Sequence, residues 1–305
     1  MRKVFISTTS FAKDDIKPMN LLREAELEVY VNSFAKTLSE DEIKRFIYDK
    51  DFLIAGTEPL THGVFEVAKK LKIISRCGVG MDNVDINAAA QMGIKVFNTP
   101  YGPTQSVAEL TIGLILDLLR RVSVMNSDIR AGIWKKQVGN LLKGKKIGII
   151  GFGRIGKRVA ELLIPFDVDI AYFDPYVQQS NLKISSRPLE ELFRWADIIT
   201  LHCSGQGDGK TIISREELRK MKKGAWLINT SRGGLIDEEY LYNSLKNGDL
   251  SGAALDVFER EPYRGPLSEL DNIILTPHIG SYAKEGRIEM EIQAVTNLLE
   301  GIRKL

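Results

Sequence analysis

The sequence predicts an α/β protein built from two doubly wound parallel-sheet domains, one smaller than the other. Three observations carry that prediction. Short β-rich runs alternate with helical periods along the whole chain, the pattern that parallel α/β layers produce. The runs fall into two series, separated at 98–104 by NTPYGPT, where proline and glycine concentrate. At 305 residues the chain lies at the upper edge of what one core usually holds, which favours two.

In the first series the strands are VFIST at 4–8, EVYV at 28–31, FLIA at 52–55, KIISR at 72–76 and IKVF at 94–97. Helices are expected between them. Ser39 and Glu42 have the spacing of a capping box, and another helix ends before Gly93. The segment NTPYGPT reads as a linker or hinge, followed by a long apolar helix from about Gln105 to Val122. Its most apolar stretch, VAELTIGLILDLL at 107–119, carries Glu109 and Asp117 and is shorter than the roughly 20 residues that span a bilayer. The second series runs KIGII at 146–150, DIAYF at 169–173, DIITL at 197–201, AWLINT at 225–230, GAALDV at 252–257 and NIILT at 272–276. An amphipathic helix from about Ala283 closes the chain. No tandem repeat or low-complexity segment is present.

Lys and Arg total 42 against 40 Asp and Glu, a formal net charge of +2 with no block of like charge. That balance argues against a nucleic-acid footprint or a polybasic membrane patch. A small neutral or anionic ligand fits better. Cys77 and Cys203 stand far apart without metal-ligand spacing, so neither a disulfide framework nor a metal site is expected. The opening MRKVFIST turns polar too soon for a secretory signal. The expectation is a soluble protein of a reducing cytoplasm.

The most legible motif heads the second series, where KIGII runs into GFGRIG and then KRVAELL. Gly151 allows a tight turn, Gly153 lets the backbone approach a pyrophosphate, and Gly156 lets helix and strand pack closely, with helix amides facing the phosphates. The next strand ends in Asp174, 18 residues after Gly156, near the spacing at which a carboxylate meets the adenosine ribose hydroxyls. An acid there repels a 2′-phosphate, and no arginine follows in DPYVQQ. A Rossmann domain binding NAD, more readily than NADP, is expected.

Polar groups at the remaining strand ends could converge on a ligand, because open α/β sheets bind beyond the carboxyl ends of their strands. After AWLI come Asn229, Thr230, Ser231 and Arg232, then two glycines. Such an arginine can offer its planar fork to a carboxylate, though an arginine in a turn is as often merely on the surface. After GAAL come Asp256 and then Glu261 before Pro262, and after NIIL comes His278 in TPHIGS. Taken singly, a Glu-Pro is usually a loop boundary and a lone histidine usually packs.

Together these stretches resemble the D-isomer-specific 2-hydroxyacid dehydrogenases, which include phosphoglycerate dehydrogenases and glyoxylate/hydroxypyruvate reductases. The matching segments are RCGVGMDNVD at 76–85, GFGRIG at 151–156, INTSRGGLID at 228–237, ALDVFEREP at 254–262 and TPHIGS at 276–281. They cover essentially the whole chain in family order.

The resemblance implies a smaller, flavodoxin-like substrate domain made of 1–99 plus 281–305, and a Rossmann NAD domain over 100–280. Arg232 would bind the substrate carboxylate and the reacting oxygen, Glu261 would partner the imidazole, and His278 would be the acid/base. The backbone amides of Gly78, Val79 and Gly80 would meet the substrate carboxylate. Gly151, Gly153, Arg154, Ile155, Gly156, Asp174, Cys203, Thr230, Ser231, Asp256 and Gly280 would line the NAD site. Domain closure about hinges near NTPYG and after His278 would bring 78–80 over the nicotinamide. A homodimer built around the helix after the first hinge is also implied.

A hydride then moves between the α-carbon and the nicotinamide while His278 moves the hydroxyl proton, a task suited to imidazole near neutral pH. The implied substrate is a small 2-hydroxy or 2-keto acid, with 3-phosphoglycerate of serine biosynthesis and glyoxylate or hydroxypyruvate as the candidates. A protein that senses NAD without turnover is the remoter alternative, since fold does not fix function.

Three departures from the family qualify those expectations. Many relatives read LHxPLT where this chain reads LHCSGQGDGKT at 201–211, which bears on nicotinamide contacts. His202 there is expected to be structural, and His62 a solvent-facing or helix-start residue. Vertebrate-type phosphoglycerate dehydrogenases carry a basic residue just after the strand equivalent to FLIA, where this chain reads GTEPLT with Glu58. The chain also ends soon after the final helix, so the regulatory domains of some phosphoglycerate dehydrogenases are not expected.

Overall fold

Runs of Val, Ile, Leu and Phe with no polar alternation bury both faces, which is what a parallel sheet between helices requires. The computed structural model describes residues 1–34, 36–204 and 211–305. Two units emerge, residues 1–104 with 281–305 and residues 105–280.

The first unit alternates β1 (Lys3–Ile6), α1 (Lys17–Glu24), β2 (Glu28–Val31), α2 (Glu40–Ile47), β3 (Phe52–Ala55), α3 (His62–Val67), β4 (Ile73–Arg76), α4 (Ile86–Gln91) and β5 (Lys95–Phe97). All strands are parallel, in the order β2-β1-β3-β4-β5. The connection therefore reverses direction between β1 and β3, a topological switch point. One face is covered by α2, α3 and α4 through residues such as Ile43, Val64 and Ala88. On the other, Met290, Ala294 and Leu298 of the closing helix, α11 (Lys284–Arg303), pack against Ile6, Ile54 and Ile73. The Ser75 hydroxyl fastens that helix by donating to the Ala294 carbonyl at 2.7 Å. The Ser39–Glu42 capping box forms at the start of α2, and His62 is the first residue of α3, with an exposed side chain.

The second unit follows the long helix α5 (Gly102–Arg120) and α6 (Val122–Arg130). Its sheet comprises β6 (Lys146–Ile150), β7 (Asp169–Phe173), β8 (Ser185–Ser186), β9 (Ile198–Leu201), β10 (Ala225–Asn229), β11 (Leu250–Leu255) and β12 (Ile273–Leu275). The order is β12-β11-β10-β9-β6-β7-β8, all parallel, with the reversal between β6 and β9. Leu114, Ile115 and Leu119 of α5 share a core with Val159 and Leu163 of α7 (Arg154–Leu163). The opposite face is closed by α8 (Leu189–Trp195), α9 (Arg215–Lys220) and α10 (Glu238–Lys246).

Two boundaries differ from the sequence reading. Helix α5 starts at Gly102, three residues before the expected Gln105, because Pro103 suits a first helical turn, where its missing N–H costs nothing. It stops at Arg120, and Arg121 adopts a left-handed conformation (φ +54°) before α6 begins. Among the described residues, no helix is long and apolar enough to cross a membrane.

Candidate active site

Strand β6 delivers the chain into the glycine turn. Gly151 has φ +89°, and a Cβ there would lie 2.6 Å from the Cys203 nitrogen. A Cβ at Gly156 would lie 2.1 Å from the Gly151 carbonyl oxygen, so α7 can rest on the turn only as glycine. Beside Gly153, in contrast, the space within 4 Å of a Cβ position is empty. Gly153 caps α7 without a side-chain bond, at the helix end where backbone N–H groups and the dipole favour an anion.

Asp174 follows β7 and is pinned to this turn. One carboxylate oxygen accepts the Phe152 N–H at 2.7 Å; the other accepts those of Tyr176 at 2.8 Å and Val177 at 3.2 Å. The oxygen bound to Phe152 alone retains lone-pair capacity for a hydroxyl donor. An open glycine cradle, a helix start without a side-chain cap and a fixed carboxylate one strand away fit a dinucleotide. The turn could hold the pyrophosphate and Asp174 the ribose hydroxyls.

At the end of β9, the His202 N–H donates to the Ile150 carbonyl at 2.7 Å, and its Nε2 pairs with the Thr200 hydroxyl at 2.9 Å. His202 is partly covered as a residue, but its ring lies inside. Burial pushes its pKa down to about 3, so the ring is neutral, and its shielded Nδ1 has no hydrogen-bond partner among the described residues. Cys203 is half-buried, and burial raises its thiol to about 11. The rest of the glycine-rich loop, 205–210, lies outside the described residues, and with it the expected effect on nicotinamide contacts.

The chemistry-bearing side chains gather at the ends of three neighbouring strands. After β10, buried Asn229 shapes the turn. Its amide group donates to the Arg232 carbonyl at 2.7 Å, and its oxygen accepts from the Ser231 N–H at 3.0 Å and hydroxyl at 2.8 Å. Thr230 is buried against the Thr111 hydroxyl at 3.0 Å. The half-buried Arg232 donates through Nη1 to the Ser231 carbonyl at 2.7 Å. At Gly233 a Cβ would lie 1.8 Å from the Phe258 carbonyl oxygen, so the turn after β10 lies directly on the turn after β11.

Phe258 in turn holds the acid. Its N–H donates to Glu261 Oε1 at 3.1 Å, and Glu261 Oε2 faces His278 Nδ1 at 2.8 Å. A carboxylate only accepts, so Nδ1 carries a hydrogen and Nε2 is the ring atom left to exchange a proton.

His278 itself sits in a left-handed conformation (φ +54°). That strained turn is stapled by Asp256, a buried carboxylate that accepts from the Thr276 hydroxyl at 2.6 Å and from the N–H groups of Ile279 at 2.8 Å and Gly280 at 2.7 Å. Asp256 and the Gly280 amide, both expected at the cofactor, are thus engaged with each other in shaping the histidine turn.

In the first unit, β4 leads into the loop of Gly78, Val79 and Gly80. The Gly78 N–H is spent on the Thr99 hydroxyl at 2.7 Å, and its carbonyl accepts the Thr99 N–H at 3.0 Å. Gly78 is buried, while Val79 and Gly80 are half-exposed. Of the three amides expected at the carboxylate, that of Gly78 is thus already committed inside the fold.

The structure thus brings Arg232, Glu261 and His278 onto adjacent strand ends with Thr230, Ser231, Asp256 and Gly280. Gly151–Gly156 and Asp174 lie at the β6 and β7 ends of the same sheet. Gly78–Gly80 belong to the other unit. Asn229 and Thr99, which organise these loops, were not among the expected site residues. An asparagine two residues before a serine at a strand end is an Asx-turn signal that could have found the first. The second acts across 21 residues of sequence, with no local signature.

A sheet with this reversal, a glycine turn after its first strand and an acid after its second defines a dinucleotide-binding protein. The comparisons refine that class. The NAD-binding-domain model of the D-isomer specific 2-hydroxyacid dehydrogenases matches residues 112–280. A hydroxypyruvate reductase of Thermotoga maritima is 38% identical over 287 residues, covering 92% of each chain. A D-3-phosphoglycerate dehydrogenase of Methanocaldococcus jannaschii is 40% identical over 296 residues, covering 94% of this chain but 55% of its own length. The NAD+-bound structure of 3-phosphoglycerate dehydrogenase from Entamoeba histolytica superposes with a TM-score of 0.84 at 29% identity, covering 97% of this chain and 94% of that one. The chain belongs to the D-isomer specific 2-hydroxyacid dehydrogenase family. It is an NAD-dependent oxidoreductase acting on D-2-hydroxy acids.

Proposed function

We propose that the protein reduces a small unphosphorylated 2-keto acid, hydroxypyruvate or glyoxylate, to the D-2-hydroxy acid. The observation that carries the substrate class is the loop after β3. Its residues 56–61 include no Lys or Arg, and Glu58 turns its carboxylate inward. The segment itself offers a phosphate no cation. The similarity to the Thermotoga hydroxypyruvate reductase over nearly the full length of both chains supports the same reading.

The geometry supports these residue roles. Arg232 holds the carboxylate and stabilises the oxygen on which negative charge develops. His278 gives its Nε2 proton to the carbonyl oxygen in reduction and takes the hydroxyl proton back in oxidation. Glu261 keeps the ring oriented and balances its charge while it holds the proton. The first unit contributes the amides of Val79 and Gly80 to the substrate carboxylate. When bound, the cofactor supplies or accepts the hydride at the α-carbon.

A homodimer is part of the proposal. Helix α6 buries none of its residues, and Trp134 and Val138 beyond it are 82% and 98% exposed. Apolar side chains this bare are what a second copy covers. Two free thiols, Cys77 and Cys203, suit a reducing cytoplasm.

A second reading, oxidation of 3-phosphoglycerate in serine biosynthesis, is favoured by the 40% identity with the Methanocaldococcus enzyme. NADH oxidation by the purified protein against hydroxypyruvate, glyoxylate, pyruvate and 3-phosphohydroxypyruvate separates the two. Preference for hydroxypyruvate or glyoxylate is expected. Preference for phosphohydroxypyruvate would overturn the substrate class, and silence on all four would overturn the enzymatic reading of the site.

A further inference from the structure

A carboxylate that is 1% exposed on a loop calls for a physical reason, since buried acids cost stability unless firmly held. Glu58 is such a group. Burial pushes its carboxyl above the usual range, and the donors around it oppose that shift. The Ser7 hydroxyl donates to Oε1, while the Gly56 N–H lies 3.2 and 3.1 Å from the two oxygens. The positive charge of Arg76 acts in the same direction.

Its place in the fold supplies the reason. Ser7 follows β1 and Gly56 follows β3, so the Glu58 carboxylate sits where the strand order of the first unit reverses. That crevice is where open α/β sheets bind their ligands. The main chain of the same segment carries the neighbouring loop. The Glu58 carbonyl accepts from Asn83 Nδ2 at 2.7 Å, the Leu60 N–H donates to the Asn83 carbonyl at 2.8 Å, and the Asp85 N–H donates to the Leu60 carbonyl at 2.9 Å. Asn83 lies three residues beyond Gly80. From the other side, Thr99 holds Gly78, and Asn98 Nδ2 donates to the Val79 carbonyl at 2.8 Å. The half-exposed amides of Val79 and Gly80 are suspended between these two anchors.

We propose that Glu58 is a positioning residue for the substrate: its buried side chain fixes segment 56–60, and through Asn83 that segment holds the Val79–Gly80 amides in place to receive the substrate carboxylate. This rests on the reading that those two amides bind that carboxylate. Every group in the clamp belongs to the first unit, whereas the glycine turn and Asp174 belong to the second.

The test is steady-state kinetics of E58A, E58Q, N83A and the double variant E58A/N83A, with the preferred keto acid from the panel and direct NADH titration. E58A should raise KM for the keto acid at least about tenfold, with kcat within about threefold and NADH affinity unchanged. Gln keeps an acceptor for Ser7 and Gly56, so E58Q should recover most of that KM. N83A should reproduce the E58A effect, and the double variant should be no worse than either single, because both remove one coupled unit. A normal KM in E58A alongside a raised one in N83A would overturn the role of Glu58 while leaving the amide loop in place. A normal KM in both would remove the amide-loop reading itself. Parallel loss of kcat, NADH affinity and melting temperature in E58A, or strict additivity with N83A, would also overturn the proposal.

Discussion

Glu261→Gln is the sharpest probe of the proton-transfer machinery, because a glutamine side chain has one accepting and one donating end. Phe258 N–H requires the acceptor at 3.1 Å, which turns the amide NH2 towards His278 Nδ1, where an oxygen stood at 2.8 Å. The ring must then accept at Nδ1 and carry its hydrogen on Nε2, so it cannot take a proton from the substrate hydroxyl. In the reducing direction the doubly protonated ring would face a donor. Flipping the amide restores the histidine bond only by leaving Phe258 N–H against NH2. Either way a hydrogen bond to a charged group is lost, worth about 1.5–3 kcal/mol, or roughly a 10- to 150-fold fall in kcat at about 1.4 kcal/mol per tenfold. The KM for NADH should hold, since the glycine turn and Asp174 lie at other strands. Steady-state rates in both directions measure this. A kcat within twofold of the parent, or a KM for NADH rising in step, would refute the assignment of Nε2 as the exchanging atom.

Three further outcomes are expected. Asp174→Ser removes both the ribose acceptor and the repulsion of a 2′-phosphate, so the preference for NADH over NADPH should shrink by at least about tenfold; an unchanged ratio in parallel kinetics would exclude Asp174 as the determinant. His202, at about 3 in the fold against about 6.5 when unfolded, leaves the unfolded chain binding one more proton between those values. Stability should therefore fall as pH drops below about 6.5, by up to about 1.4 kcal/mol per pH unit from this residue, with no loss above about pH 7. His202→Gln, which can keep the Thr200 bond, should flatten that part of an acid-unfolding series, and an unaltered slope would mean that the ring is accessible to protons when folded. The double change W134D/V138D should convert a dimer into a monomer by light scattering, and an unchanged mass would place the interface elsewhere.

Much of this arrangement was legible before any coordinates. The eleven expected strands all form, with small shifts at their ends; the central ones are runs buried on both faces, which carry no competing signal, and β2, β5 and β12 are the more exposed edges. The order of glycine turn, acid, arginine, Glu-Pro and histidine could be read because each falls at a strand end. What escaped was tertiary. Strand β8 consists of Ser185 and Ser186, two exposed polar residues that pair with β7. The break between α5 and α6 falls at Arg121, with no glycine or proline to announce a left-handed residue. Glu58 stands in a polar loop that reads as solvated, and only its neighbours from β1 and β3 reveal a buried clamp. The loss of the Gly78 amide to Thr99 depends on packing of distant strand ends, which no local pattern encodes.

The strand order of the second sheet separates the proposed tasks by position. The glycine turn and Asp174 follow β6 and β7, whereas Arg232, Glu261 and His278 follow β10, β11 and β12, with β9 between them. Changes confined to one half leave the other's backbone supports untouched, so their free-energy effects should add. A descendant, natural or engineered, can therefore exchange its redox currency or retune its chemistry one at a time, without passing through an intermediate that has lost both.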